Sequence, residues 1–147
     1  EIAPSHPDGR LLMVGRTCTG WLYTSSSADF GTSWSQPLPL GGPERVREGG
    51  MRHPLAPPNI ATLTANDTDV LVLVTEPHFT GVAWELGTRV VLGLHVSTDG
   101  GASWGNYRQL ESTAATAEYS YCSLFPDDAT ATLHIVYRSP TPAVTAV

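Results

Sequence analysis

The chain has 147 residues, enough for one ordinary domain with a sizeable core. Its net charge is −6 with only 8 Lys plus Arg, so no basic stripe exists to neutralise phosphates, which argues against nucleic acid or an anionic membrane surface as a partner. No apolar run approaches the ~18 residues that span a bilayer.

Residues 1–7 are polar and carry Pro4 and Pro7, so they read as a lead-in. An Asp8-Gly9-Arg10 turn then feeds a short buried strand over 11–14, and after a polar interruption the next strand is expected over 21–25. Residues 35–40 follow as an outer strand, confined to an edge by Pro37 and Pro39, which lack the N–H of a central strand. The stretch 41–58 is the least regular, broken by Gly41-Gly42-Pro43, Gly49-Gly50, Pro54, Pro57 and Pro58, and it holds Arg45, Arg47 and Arg52. A connection of that length in a compact fold is usually functional or mobile.

Two strands over 59–64 and 70–75 flank the 66–69 turn, the second so dense in Val and Leu that it reads as an innermost strand covered on both faces. A loop over 76–87 carries Glu76, His78, Trp84 and Glu85. Strands are then expected over 88–96 and 105–110, a small-residue loop over 111–118, and a last pair over 119–125 and 130–137 around Pro126-Asp127-Asp128. No stretch has a helical period with caps, so the fold class is all-β.

Two turns share one pattern, Ser27-Ala28-Asp29-Phe30-Gly31-Thr32-Ser33-Trp34 and Ser97-Thr98-Asp99-Gly100-Gly101-Ala102-Ser103-Trp104, seventy positions apart. Each follows a strand and leads into a second extended segment, as a hairpin turn does. In it the Asp carboxylate accepts backbone N–H groups, the Gly supplies a positive φ and the Trp folds back onto the sheet. Acidic turns feeding strands also recur at Asp8, Asp67 and Asp127, roughly every 60 residues. These periods divide the chain into repeats of approximately 8–40, 57–110 and 119–147.

The pattern resembles the Asp box, or bacterial neuraminidase repeat, of the sialidase-type β-propellers. The resemblance implies consecutive four-stranded antiparallel blades, six in the complete ring, with each box joining the third and fourth strands on the rim away from the active site. Blades of about 40–50 residues must repeat at least four times to close a ring. A chain of 147 residues that begins with Glu1 rather than Met is therefore expected to be a fragment of one propeller, with the remainder as its partner.

A propeller's ligand site lies on the axis, where inter-blade loops converge. There, Glu118-Tyr119-Ser120-Tyr121-Cys122-Ser123-Leu124 looks like the strand that carries the nucleophilic tyrosine of sialidases, and aligning by Leu124 places Tyr121 at the nucleophile. It is also similar to a Tyr-Ser-Tyr-Pro-Ser-Leu string of sialidase-like enzymes, with Cys122 in place of Pro and Leu133-His134-Ile135-Val136-Tyr137-Arg138 following as in that group. Sialic acid bears a carboxylate on its anomeric carbon. An anionic Asp or Glu nucleophile would be repelled, whereas a phenol arrives neutral and loses its proton as it attacks.

By the resemblance the base that takes this proton is a Glu from another loop, here Glu76 or Glu85. The family holds the substrate carboxylate with three arginines, whose planar forks suit it better than lysine's point charge. Arg89, just before the strand leading to the second box, and Arg16, in the comparable place before the first, are the implied ligands, with Arg52 third. The family's acid/base Asp and N-terminal Arg match no position of this chain.

The implied function is a sialidase-like exo-glycosidase acting on terminal acidic sugars of glycans. The alternative is a non-catalytic Asp-box propeller serving as a glycan-binding or structural module of a larger extracellular protein, since these boxes also occur without hydrolase activity. No cofactor or metal is implied: the five His show no ligand spacing, and nucleotide-binding loops are absent. Asn66-Asp67-Thr68 is an N-glycosylation sequon in a polar turn, which fits an extracellular or secretory location. Cys18 and Cys122, in the first and third repeats, are expected to be separate thiols.

Overall fold

The computed structural model describes residues 1–6, 9–40, 51, 56–77, 89–112 and 118–139, and among these it contains strands and turns but no helix. Strands β1 (Ile2–His6), β2 (Arg10–Arg16), β3 (Leu22–Ser27) and β4 (Leu38–Pro39) form one antiparallel sheet in chain order. Strands β5 (Asn59–Ala65), β6 (Thr68–Thr75), β7 (Val91–Ser97) and β8 (Gly105–Ser112) form a second, and β9 (Ser120–Asp127) with β10 (Thr132–Arg138) a third.

The connections are short where the sequence demands it. Asn66 and Asp67, at φ 50 and 58, make the two-residue left-handed turn that matches the twist of a hairpin. Pro37 and Pro39 reduce β4 to two residues on the sheet edge.

The segment expected as a lead-in is instead the first strand. Ile2 faces Met13, Ala3 faces Leu12, and Ala3 is buried. Pro4 is tolerated because β1 is an edge strand, so a periodicity reading that discounts proline misses it. The dense apolar run of β6 is likewise not the innermost strand, since β6 lies between β5 and β7, and β5 makes the larger share of the contacts to β1 and packs on β9.

Burial explains the confusion. The cores lie between sheets, so both faces of β6 are covered. Leu71 and Leu73 join Ala3, Leu12, Val14, Leu22, Leu40 and Ile60 between the first and second sheets. Val74 joins Leu92, Tyr119, Cys122 and Ile135 between the second and third. Each buried Leu or Val contributes about 1.5–3 kcal/mol of burial, and one strand serves two interfaces. Hydrogen bonds stitch the same joints: Thr62 Oγ1 donates to the Pro4 carbonyl, and the Thr64 N–H donates to Asp128 Oδ1 at 2.8 Å.

Both boxes join third and fourth strands, and their hydrogen bonds superimpose. Ser27 Oγ donates to Asp29 Oδ1 at 2.8 Å while accepting the Gly31 N–H at 2.8 Å, and Asp29 takes the Ser33 N–H and hydroxyl at 2.8 and 2.6 Å. In the second box the corresponding distances are 2.7, 2.8, 2.9 and 2.5 Å. Donors converging on each carboxylate, the Ser33 and Ser103 hydroxyls foremost, hold Asp29 and Asp99 down at about 2.

The second box also anchors one blade on the next. Gly101, at φ 91, leaves so little room that a Cβ would stand 2.4 Å from Leu12 Cδ2, whereas at the equivalent Gly31, φ 85, the nearest atom is Leu11 Cδ1 at 3.4 Å. Gly101→Ala is therefore expected to destabilise the fold by about 2–4 kcal/mol, from backbone strain plus overpacking against a buried Leu, and Gly31→Ala by about 1–2 kcal/mol from strain alone. Urea denaturation of the two variants side by side measures the difference; equal losses would show that the Leu12 contact contributes nothing.

Candidate active site

Antiparallel register sorts the chain into two ends. Ser27 and Ser97, which open the boxes, face Leu11 and Leu71. The other end of the first sheet is marked by the Arg16 and Leu22 pair, of the second by Thr75 with Gly93 and Val91 with Ser112, and of the third by Ser120 with Arg138. The Tyr119 N–H donates to the Arg89 carbonyl at 2.9 Å and ties the second and third sheets together there. Arg16, Glu76, Arg89 and Tyr121 thus all lie toward the end opposite the boxes.

Glu76 and Arg89 form the centre of this end. They leave β6 and enter β7, thirteen positions apart in sequence, and both are buried, at 3% and 7% exposure. Burial pushes the Glu76 carboxyl up to about 7; the exposed Glu118 adds to the rise and the Arg89 guanidinium opposes it. A carboxyl whose pKa lies near the working pH is better matched to give and take a proton than an ordinary exposed Glu.

Polar atoms without hydrogen-bond partners among the described residues include Arg89 Nε, the Oγ1 of Thr75, next to Glu76 in the chain, and the Oγ of the fully buried Ser120, which follows the residue bonded to the Arg89 carbonyl. Buried donors and acceptors are costly to leave unsatisfied, so these groups call for partners beyond the described residues.

Tyr121 is one residue beyond Ser120. Its side chain is 65% exposed, and its backbone is left-handed, at φ 53. Ser123 faces Val136 and Ser120 faces Arg138, so Tyr121 and Cys122 together oppose Tyr137 in a β-bulge. Bulges bend a strand and re-aim a side chain, and this one turns the phenol into solvent while the next residue stays inside. Cys122 is buried, and that burial, reinforced by Glu76, pushes its thiol up to about 12, too high for it to serve as a nucleophile. Cys18 is an exposed thiol, and the two cysteines are unbridged.

Of the residues named from sequence, the structure brings Glu76 and Arg89 together and carries Tyr121 on the neighbouring sheet. Arg16 is exposed at the end of β2 in the adjoining sheet. Arg52 and Glu85 lie outside the described residues. Among the described residues no carboxylate is hydrogen-bonded to the Tyr121 hydroxyl.

Two further side chains meet at this end. Tyr137 donates its phenol to Glu111 Oε1 at 2.5 Å and packs edge-on to Tyr119, ring centroids 6.0 Å apart. The partners come from different sheets, and nothing local in either segment announces the contact.

The fold recurs in solved structures. A point mutant of NanB sialidase from Streptococcus pneumoniae superposes with a TM-score of 0.69 at 15% identity, covering 92% of this chain and 19% of that one. The intramolecular trans-sialidase from Ruminococcus gnavus gives 0.67 at 17% identity, with 93% and 27% covered. Trypanosoma rangeli sialidase in complex with sialic acid gives 0.57 at 18% identity, with 96% and 21% covered. At such identities the likeness establishes the fold, a part of a sialidase-like β-propeller, and this chain spans only about a fifth to a quarter of those proteins. No curated protein sequence matches. The model of the BNR repeat-like domain matches residues 1–135, which include both boxes and the Glu76 and Arg89 cluster, and by that match the chain belongs to the BNR repeat-like family.

Proposed function

We propose that these residues form part of the catalytic face of a sialidase-like exo-glycosidase that removes a terminal acidic sugar from glycans. The observation that carries this reading is the buried Glu76 and Arg89 pair, with polar neighbours that lack partners among the described residues, at the end of the blades away from the boxes. Tyr121 attacks the anomeric carbon as the glycosidic bond breaks, and its phenolic proton passes to Glu76 or Glu85. Arg89 holds the substrate carboxylate, with Arg16 and Arg52 converging on it from the first repeat and the loop that follows. The remaining residues of the site, including the acid that protonates the leaving oxygen, come from the rest of the propeller. An extracellular location, with Asn66 at an exposed hairpin tip glycosylated, accords with a glycan substrate.

A second reading is a glycan-binding or structural module without turnover; among the described residues the Tyr121 hydroxyl has no carboxylate beside it to take its proton. One variant separates them. Arg89→Lys in the full-length protein keeps the charge and loses the fork, and it is expected to raise KM for a fluorogenic α-sialoside about 10–100-fold with kcat changed far less. An unchanged KM removes Arg89 from the site. Calorimetric binding of the sialoside by a wild-type protein that never hydrolyses it supports the module.

A further inference from the structure

The bulge at Tyr121 needs something to hold it. A bulky side chain at a left-handed φ persists only where its surroundings over-determine it, and here the residue that faces the bulge is Tyr137. Tyr137 is fixed on two sides, through its hydroxyl to Glu111 on the neighbouring sheet and through its ring against Tyr119, whose own N–H is bonded to the Arg89 carbonyl. The three contacts form a bracket running from the outer strand β8, across β10, to the strand that carries Tyr121.

We infer that Tyr137 is a positioning residue: its hydrogen bond to Glu111 clamps the site end of β10 to β8 and so fixes the bulge that aims Tyr121. The inference rests on the reading of Tyr121 as the nucleophile. Loss of the clamp leaves the bulge in the chain but lets it fluctuate, so the phenol spends less time in the attacking orientation. Tyr137 acts through the bulge rather than on the reacting atoms in this reading, and Glu111 serves as its acceptor.

The test compares Tyr137→Phe, Glu111→Leu, their double variant and the conservative Glu111→Gln in the full-length protein. The expected result is a loss in kcat of about tenfold or more for the first two, KM within about twofold, and no further loss in the double variant, because both substitutions break one interaction. Glu111→Gln retains an acceptor oxygen and is expected to restore most of kcat.

Amide hydrogen exchange supplies an arm independent of turnover. The Tyr121 and Cys122 amides should exchange about tenfold faster in Tyr137→Phe while those of β6 and β7 stay unchanged. Exchange unaltered at the bulge overturns the inference, as does a general rise in exchange with a fallen melting temperature, which would make the bond merely structural. If Tyr121→Phe itself retains turnover, the nucleophile reading fails, and the exchange arm still decides whether the clamp exists.

Discussion

Tyr121→Phe is expected to lower kcat in the full-length protein by about 10³-fold or more while leaving KM within about threefold and the melting temperature within a few degrees. The size of the effect follows from chemistry and its selectivity from structure. Only the hydroxyl is removed, and with it the oxygen that would bond to the anomeric carbon; the ring, the bulge and the left-handed backbone are shared by both residues. Because the side chain is 65% exposed, the packing lost is slight. A glycosidase that used an Asp or Glu nucleophile would not respond in this way, and neither would a binding module. Steady-state kinetics on an α-sialoside, with a thermal melt to show that the variant is folded, gives the result. Turnover close to wild type would end the tyrosine mechanism and leave the glycan-binding reading of the same fold.

How much of this was legible depends on how local each feature is. Each Asp box is held by hydrogen bonds among residues at most four apart, so its eight-letter string nearly specifies its structure, and two copies named the propeller. β1 was hidden because its pairing with β2 is supported by a contact to β5 some sixty positions away, between Thr62 and Pro4, and nothing in Ile2-Ala3-Pro4-Ser5-His6 alternates clearly. β6 was placed wrongly because a strand covered on both faces has the same apolar composition whether it sits innermost or second in its blade.

At the site, Glu76 and Arg89 could be named from family position, but their shared burial could not, since it depends on β6 and β7 bringing their ends together and on β9 closing over them. Ser120-Tyr121-Cys122 contains no glycine or asparagine to announce a left-handed residue. The bulge is imposed by tertiary context and was invisible in the string. The Tyr137 and Glu111 bond spans two blades and has no sequence signature at all.

Glu76→Gln is expected to stabilise the fold at alkaline pH and to disable turnover at the same time. Removing the partner of a buried Arg ordinarily destabilises, because it strands a charge. Here the carboxyl titrates at about 7 rather than the ordinary 4.5, so the penalty of burying its charge already exceeds what Arg89 returns. Between those values the native state holds a proton that the unfolded chain has released. Stability from this group is therefore complete below about 4.5, falls as pH rises, and is gone above about 7.

The amide stays neutral throughout, so the two proteins should be equally stable near pH 4 and diverge to about 3 kcal/mol in favour of Gln at pH 8. The catalytic consequence has the opposite sign: a base must be ionised to accept the phenol's proton, so wild-type kcat should rise along an acid limb centred near 7, and the variant should lose about 10²–10⁴-fold together with that limb. Denaturation and pH–rate profiles of the same pair measure both. A variant less stable than wild type at pH 8 would mean that Arg89 holds Glu76 ionised as a structural ion pair. The stability result alone would then leave the choice between Glu76 and Glu85 to the pH–rate profile. A variant that gains stability and loses turnover would show that the fold tolerates a buried carboxyl at this position because the reaction requires one.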